Sequence, residues 1–165
     1  MSAVKLRGAC ACGAVTWTST SKPEHLDYCY CKTCQQVSGA PFVGWMGIHK
    51  ASLDWYSRTP CGTPATATDE ASHSLTFTVS ELATRGCCKA CGSTMTIQYH
   101  CYSEKTHLAA GTVVEGAGVV PKVGMHIWVS RKPPWYTIPD DGVERWGEFD
   151  PEFERVLRTY MGQQG

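Results

Sequence analysis

The sequence predicts a small, mainly β domain organised on cysteine clusters, with many short antiparallel strands and one short helix near the C-terminal end. Three observations carry this. Apolar and polar residues alternate over short runs, as in Leu75, Phe77, Val79 and Met95, Ile97, Tyr99, which is the period of a half-buried strand. Cysteines recur as C-x-C, C-x-C-x-x-C and C-x-x-C, spacings that let neighbouring sulfurs converge on one metal ion. Asp150-Pro151 precedes Phe153, Val156, Leu157 and Tyr160, which supplies an N-cap, a proline at the first helical position and a helical apolar stripe.

Taken in order, Ala3 to Ala9 reads as a first strand. The Gly-bounded knuckle Gly8-Ala9-Cys10-Ala11-Cys12-Gly13 leads into a second strand through Val15 and Trp17. Ser19 to Glu24 is a turn, and Lys32 to Val37 suits a single helical turn. Phe42 to His49 is a buried strand bounded by Pro41 and Lys50, followed by another over Leu53 to Tyr56. Thr59 to Ser72 is rich in Thr, Ala, Pro and Gly without periodicity and reads as a surface loop. Strands follow over Ser74 to Val79 and Thr94 to Tyr99, separated by the knuckle Cys88-Lys89-Ala90-Cys91-Gly92. Thr106 to Val114 and Met125 to Val129 are further strands. Pro133 and Pro134 lack an N–H to pair and end the sheet region. The chain reads as one domain over 1–165, with the last helix near 151–160.

With 165 residues, 42% apolar and 18% charged, the chain has the composition of one globular domain rather than a disordered segment. Its formal net charge is zero, which removes the electrostatic basis for nucleic-acid or anionic-membrane binding. No apolar run approaches a membrane span, and Met1 to Cys10 lacks a signal-like apolar core. The expected location is therefore the cytoplasm, with no nucleic-acid or membrane partner.

Ten cysteines in such a chain favour metal over a disulfide framework. Cys10, Cys12, Cys88 and Cys91 together complete one four-thiolate site, and a closed site of that kind is structural. Cys29, Cys31 and Cys34 form a second cluster with three local ligands. Two arrangements fit it: an open fourth position, as in a catalytic zinc, or a fourth ligand from His25, His100 or His126. Cys61, Cys87 and Cys101 match no spacing and read as free thiols, with Cys87 an alternative to Cys88.

At these residues the chain resembles the glutathione-dependent formaldehyde-activating enzyme family, which includes centromere protein V. The matching pieces are Gly8-Ala9-Cys10-Ala11-Cys12-Gly13-Ala14-Val15, Cys29-Tyr30-Cys31-Lys32-Thr33-Cys34 with Ser38-Gly39, Arg85-Gly86-Cys87-Cys88-Lys89-Ala90-Cys91-Gly92-Ser93, and His126-Ile127-Trp128 with Pro134-Trp135. They span about 8–135, leaving 136–165 as an extension. The resemblance implies stacked antiparallel sheets around zinc, a β-tent. It implies two zinc ions per chain, a structural one at Cys10, Cys12, Cys88 and Cys91 and a catalytic one at Cys29, Cys31 and Cys34. It also implies a carbon–sulfur lyase that joins glutathione, as co-substrate, to formaldehyde. Three departures stand out: Tyr30 replaces a common His, Cys87 replaces an aromatic, and Gly111-Thr112-Val113-Val114 lacks the family's Asp.

A three-thiolate zinc can hold a substrate thiol as thiolate or polarise a carbonyl, and addition to an aldehyde also needs a proton donor. His126 and Tyr30 are the candidates carried forward, with His100 a third. Trp45, Trp128 and Trp135 could wall a pocket, Lys132 could meet a carboxylate, and Gly39 could let backbone N–H groups approach a ligand. Two other function classes stay open: a zinc enzyme using the same site for an elimination, isomerisation or thiol transfer, and a non-enzymatic zinc-stabilised binding module.

Overall fold

The computed structural model describes residues 5–57 and 74–163, with backbone alone over 74–79. Its strands are β1 (Leu6–Ala9), β2 (Val15–Ser19), β3 (Leu26–Cys29), β4 (Val43–His49), β5 (Leu53–Ser57), β6 (Ser74–Ser80), β7 (Ala83–Cys88), β8 (Thr94–Tyr99), β9 (Lys105–Ala109), β10 (Val113–Glu115), β11 (Met125–Ile127) and β12 (Glu144–Arg145). The helices are α1 (Lys32–Ser38) and α2 (Pro151–Gly162). The expected loop at 59–72, the facing of Leu75, Phe77 and Val79, and Cys61 lie outside the described residues.

The strands form two sheets, in the orders β10-β1-β2-β5 and β12-β11-β3-β4-β9-β8-β7-β6. The mainly β class and the short C-terminal helix are thus as the sequence implies. Pairing is antiparallel except at β11, which runs parallel to β3 and to β12.

Three strands escape the alternation rule. β3 is hidden by its cysteine-cluster setting. β7 carries Arg85 and Gly86, poor strand formers in isolation, but β6 and β8 pair with it on both sides, and that context overrides propensity. β12 is only two residues long and extends the larger sheet beyond Pro133 and Pro134, where the sequence suggested the sheet had ended.

The expected strand Thr106 to Val114 is in fact two, separated by a 3-10 turn over Ala110–Thr112. There the chain leaves the larger sheet for the smaller. Thr112 Oγ1 donates to the Ala109 carbonyl at 2.7 Å and accepts from Trp17 Nε1 at 3.2 Å, so one hydroxyl closes the turn and satisfies a fully buried indole.

The first core lies between the sheets. Leu6, Val15 and Trp17 from the small sheet meet Leu26, Met46, Ile48 and Leu108 from the large one. The opposite face of the large sheet holds a second cluster with Cys29, Cys34, Trp45, Ile97 and Ile127, against which Trp128, Trp146 and Phe149 pack. Strand alternation produces this split: Met46 and Ile48 point into the first core, while Trp45 joins the second.

The C-terminal segment covers part of that second face. Asp150 Oδ1 accepts from the N–H groups of Glu152 and Phe153, both at 3.1 Å, and starts α2 as expected. Phe153 then packs on Tyr99 with ring centroids 4.8 Å apart. Among the described residues no helix is long and apolar enough to cross a membrane.

Thr112→Val keeps the side chain's volume but removes the acceptor of the Trp17 indole. We expect a loss of about 1–3 kcal/mol in unfolding free energy, the cost of a buried donor left unpaired, measured by urea denaturation.

Candidate metal centres and the adjoining pocket

The two knuckles fold alike. Cys10 N–H donates to the Val15 carbonyl and Cys88 N–H to that of Ser93, both at 2.9 Å. Gly13 and Gly92 close the loops at φ 72° and 73°, a left-handed conformation that glycine adopts without steric cost. Ser93 links the loops, since its Oγ accepts from Ala11 N–H at 3.0 Å and lies 3.1 Å from Cys91 Sγ. The sulfurs of Cys10, Cys12, Cys88 and Cys91 all lie within 4.8 Å of one another. Cys10 and Cys12 sulfurs are 3.5 Å apart, and those of Cys12 and Cys88 are 3.8 Å apart. Zinc–sulfur bonds of about 2.3 Å at tetrahedral angles give edges of about 3.8 Å, so four thiolates here fit such an ion.

Cys29, Cys31 and Cys34 also come together, their sulfurs within 4.8 Å of one another. Cys29 ends β3 and Cys31 caps α1, accepting from Cys34 N–H at 3.4 Å. α1 is longer than the single turn expected and presents Cys34 on its buried side. Hydrogen bonds from Cys29 and Cys34 push the Cys31 thiol down to about 2, while those same contacts push Cys29 up. Three converging sulfurs are a donor set suited to a thiophilic dication. Among the described residues no fourth Cys, His, Asp or Glu joins it.

Arg85 is the counter-charge. It is only 6% exposed, yet its two Nη atoms lie 3.7 and 3.8 Å from Cys34 Sγ. Trp45 Nε1 donates to the same sulfur at 3.4 Å, and the guanidinium sits 5.8 Å from the Trp45 ring centroid. Cross-strand register brings Arg85 opposite Ile97 on the face that carries Cys29.

A pocket of about 310 Å³ opens at this site. Cys29, Cys31 and Arg85 line it, with Tyr99, Trp128 and Phe149 as aromatic walls and Lys32 and Arg131 as exposed cations. Burial pushes the Tyr99 hydroxyl well above its usual range. Trp128 has φ 59°, a strained conformation for a non-glycine residue costing about 1–3 kcal/mol. Its N–H donates to the Glu148 carbonyl at 2.9 Å.

Tyr30 and His126 do not line this pocket. They meet each other behind it: Tyr30 hydroxyl and His126 Nδ1 are 3.0 Å apart, and His126 Nε2 is 2.9 Å from Asp141 Oδ2. Both are buried to about 1% exposure or less. His100 is bound by Thr84 Oγ1 and the Glu81 carbonyl. Among the wall candidates, Trp128 lines the thiolate pocket, Trp45 lines a neighbouring one, and Trp135 is 73% exposed. Lys132 donates to the Tyr136 carbonyl. Gly39 N–H caps α1 by donating to the Gln35 carbonyl at 2.9 Å, so it is not free to approach a ligand. Cys87 and Cys101 belong to neither sulfur group.

Tyr99, Phe149 and Asp141 carry no sequence signal of their own, and for Arg85 the available signal is its place in the quoted motif Arg85-Gly86-Cys87-Cys88.

This is a small two-sheet β protein with two cysteine clusters able to hold metal ions. The family model described as "Glutathione-dependent formaldehyde-activating enzyme" matches residues 5–131, and the chain belongs to that family. Comparison with curated proteins returned no match. Among solved structures, a Rhodobacter sphaeroides protein is similar, at 17% identity and a TM-score of 0.47, covering 86% of this chain and 99% of that one.

His107, on the same sheet face, is 7% exposed, and burial followed by the charge of His25 pushes its pKa down to about 3. Its unfolded value is about 6.5, so between those values the unfolded chain binds a proton the folded one refuses. Stability from this group is thus present above about 6.5 and lost as pH falls towards 3. His107→Gln should lose less thermal stability than the parent between about pH 7 and pH 4, where the imidazole titrates in the unfolded chain.

Proposed function

We propose that the chain is a zinc-dependent enzyme of the carbon–sulfur lyase type, joining a small thiol to an aldehyde at the Cys29, Cys31 and Cys34 site. Glutathione and formaldehyde are the first substrates to test, by family membership. The observation that carries the reading is three converging sulfurs without a fourth ligand among the described residues, at the floor of a pocket with cationic and aromatic walls. Cys10, Cys12, Cys88 and Cys91 hold a second, structural zinc in this reading.

Zinc bound by the trio would supply a centre that keeps a substrate thiol ionised near neutral pH. Three thiolates and a dication sum to one negative charge, and Arg85 offsets it in a buried setting where an unpaired charge is costly. Lys32 and Arg131 meet the carboxylates of an acidic thiol such as glutathione. The thiolate sulfur adds to the carbonyl carbon, a C–S bond forms, and the C=O π pair moves to oxygen. Tyr99, kept protonated by burial, donates to that oxygen and recovers a proton equivalent to the one the thiol lost. Trp128 and Phe149 keep water from the reacting atoms.

His126 and Tyr30 take positioning roles. Asp141 orients His126, His126 holds the Tyr30 hydroxyl, and Tyr30 fixes the backbone between Cys29 and Cys31. A second reading keeps the same site but a larger aldehyde or the reverse elimination. It is favoured by the aromatic lining, more extensive than a one-carbon substrate needs, and by Phe149, which lies beyond the matched 5–131.

Metal analysis of protein purified without chelator should find about two zinc ions per chain. Cys88→Ser should unfold or precipitate, because structural zinc is part of the folding free energy. Cys31→Ser should stay folded and keep one zinc. Equal destabilisation of both variants would count against separate roles.

Glutathione titrated calorimetrically into zinc-loaded protein should bind, and binding should vanish in Cys31→Ser. Binding that persists in Cys31→Ser would place the thiol elsewhere. Absence of binding to the parent moves the substrate to the second reading.

A further inference from the structure

On the reading of the Cys29, Cys31 and Cys34 trio as a zinc site, we propose that Trp45 and Arg85 act through Cys34 to make that centre receptive to an anionic ligand, a thiolate above all. The three sulfurs are not equivalent. Cys34 Sγ is approached by three side-chain nitrogens, Trp45 Nε1 at 3.4 Å and the two Arg85 Nη atoms at 3.7 and 3.8 Å. Cys31 Sγ takes one backbone N–H, from Cys34 at 3.4 Å. Among the described residues no side-chain N–H reaches Cys29 or Cys31.

Three elements meet at that sulfur. Helix α1 buries Cys34 completely. On β4, alternation sends Met46 into the first core and Trp45 into the second. On β7, Arg85 stands opposite Ile97 of that second core. The buried guanidinium meets the Cys34 sulfur and the Trp45 ring. Its Nε has no partner, and among the described residues no carboxylate pairs with it. A buried cation without a carboxylate is costly unless another anion compensates it, and the sulfurs are the anion at hand.

N–H groups aimed at a thiolate hold its lone pairs and reduce what it gives the metal, as outer partners tune ligands generally. A zinc with one weakened donor is a stronger Lewis acid towards a further ligand. Charge adds to this. Three thiolates, a dication and Arg85 sum to zero, so an incoming anion leaves the site singly negative. Without Arg85 the same anion would make a buried centre doubly negative. Arg85 lines the pocket with Cys29 and Cys31, whereas Trp45 and Cys34 do not. Trp45 therefore holds Cys34 from outside the pocket, and the Arg85 charge borders the space a ligand enters. A substrate thiol is taken up as thiolate, and a neutral ligand gains nothing from the Arg85 charge.

The test uses the full chain with cobalt in place of zinc, read as a difference spectrum against Cys31→Ser so that the four-cysteine site cancels. The probes are thiocyanate, an anion, and imidazole, held neutral above its pKa. Trp45→Phe keeps a ring and removes the N–H. Its sulfur-to-cobalt charge-transfer band should move to longer wavelength, and both probes should bind about tenfold more weakly. An unmoved band overturns the proposal. Arg85→Met removes the charge, and thiocyanate affinity should fall about tenfold or more relative to imidazole affinity. Parallel falls for the two probes, or no fall, overturn the proposal. If Arg85→Met loses cobalt or misfolds, Arg85→Lys decides, since it keeps the charge without the planar fork. That variant should keep the thiocyanate preference and shift the band, and an unshifted band overturns the proposal. A parent chain that forms no cobalt–sulfur band at the trio overturns the zinc reading together with this one. A parent that shows the band and binds both probes, with variants that behave like it, overturns this inference alone.

Discussion

The fold depends on bringing together sulfurs that are distant in sequence. Cys12 and Cys88 are 76 residues apart, yet their sulfurs are 3.8 Å apart. One belongs to the turn between β1 and β2 in the small sheet, the other to the end of β7 in the large one. The four sulfurs of Cys10, Cys12, Cys88 and Cys91 are spaced so that they could hold one metal ion between the two loops. A β domain with mostly non-local pairing has a large loop-closure cost. A knot of this kind joins the two sheets at a defined register, and Ser93 repeats the link through hydrogen bonds between the two loops.

With the sheets joined, the second face of the large sheet carries the Cys29, Cys31 and Cys34 cluster and the pocket beside it. Register places Arg85 opposite Ile97, Ile97 opposite His107, and His107 opposite Gly47. Asp27 stands opposite Trp45, and Cys29 opposite Val43. These residues share one side of a pleated surface because each is in register with the next. Tyr99 and Phe149, 5.9 Å apart edge to face, line both a cysteine pocket with cationic side chains and a neighbouring pocket lined by Glu24, Asp27 and Lys105. Two pockets thus come from one sheet face and one aromatic wall.

The polar residues behind the cysteine site are of another kind. Tyr30, His126 and Asp141 form a continuous chain of hydrogen bonds that ends at the surface. His126 sits on β11, and its parallel pairing with β3 sets it beside Tyr28 and next to Tyr30. The chain buries a tyrosine and a histidine with their polar atoms satisfied, which is what makes such burial tolerable. It also explains why two residues attractive as acids in the sequence face away from the pocket. Tyr30 lies between two cysteines in an extended segment, and alternation turns it to the opposite side.

What the sequence by itself determined is local. Cysteine spacing defined the Cys29, Cys31 and Cys34 group and each half of the four-sulfur group, because C-x-C and C-x-x-C bring neighbours together whatever the rest of the chain does, while joining Cys10 and Cys12 to Cys88 and Cys91 took the packing of the two sheets. Asp150 and Pro151 defined the start of α2, since a cap is set by a few adjacent groups. Alternation defined β2 and β8, and an apolar run bounded by Pro41 and Lys50 defined β4. Only the tertiary structure decided the rest. Arg85 and Gly86 became a strand because β6 and β8 claimed their backbone groups. The run from Thr106 to Val114 broke in two because its ends belong to different sheets. Tyr99, Phe149 and His107 meet through register and chain crossing, which relate residues far apart in sequence, and no local pattern encodes such a meeting.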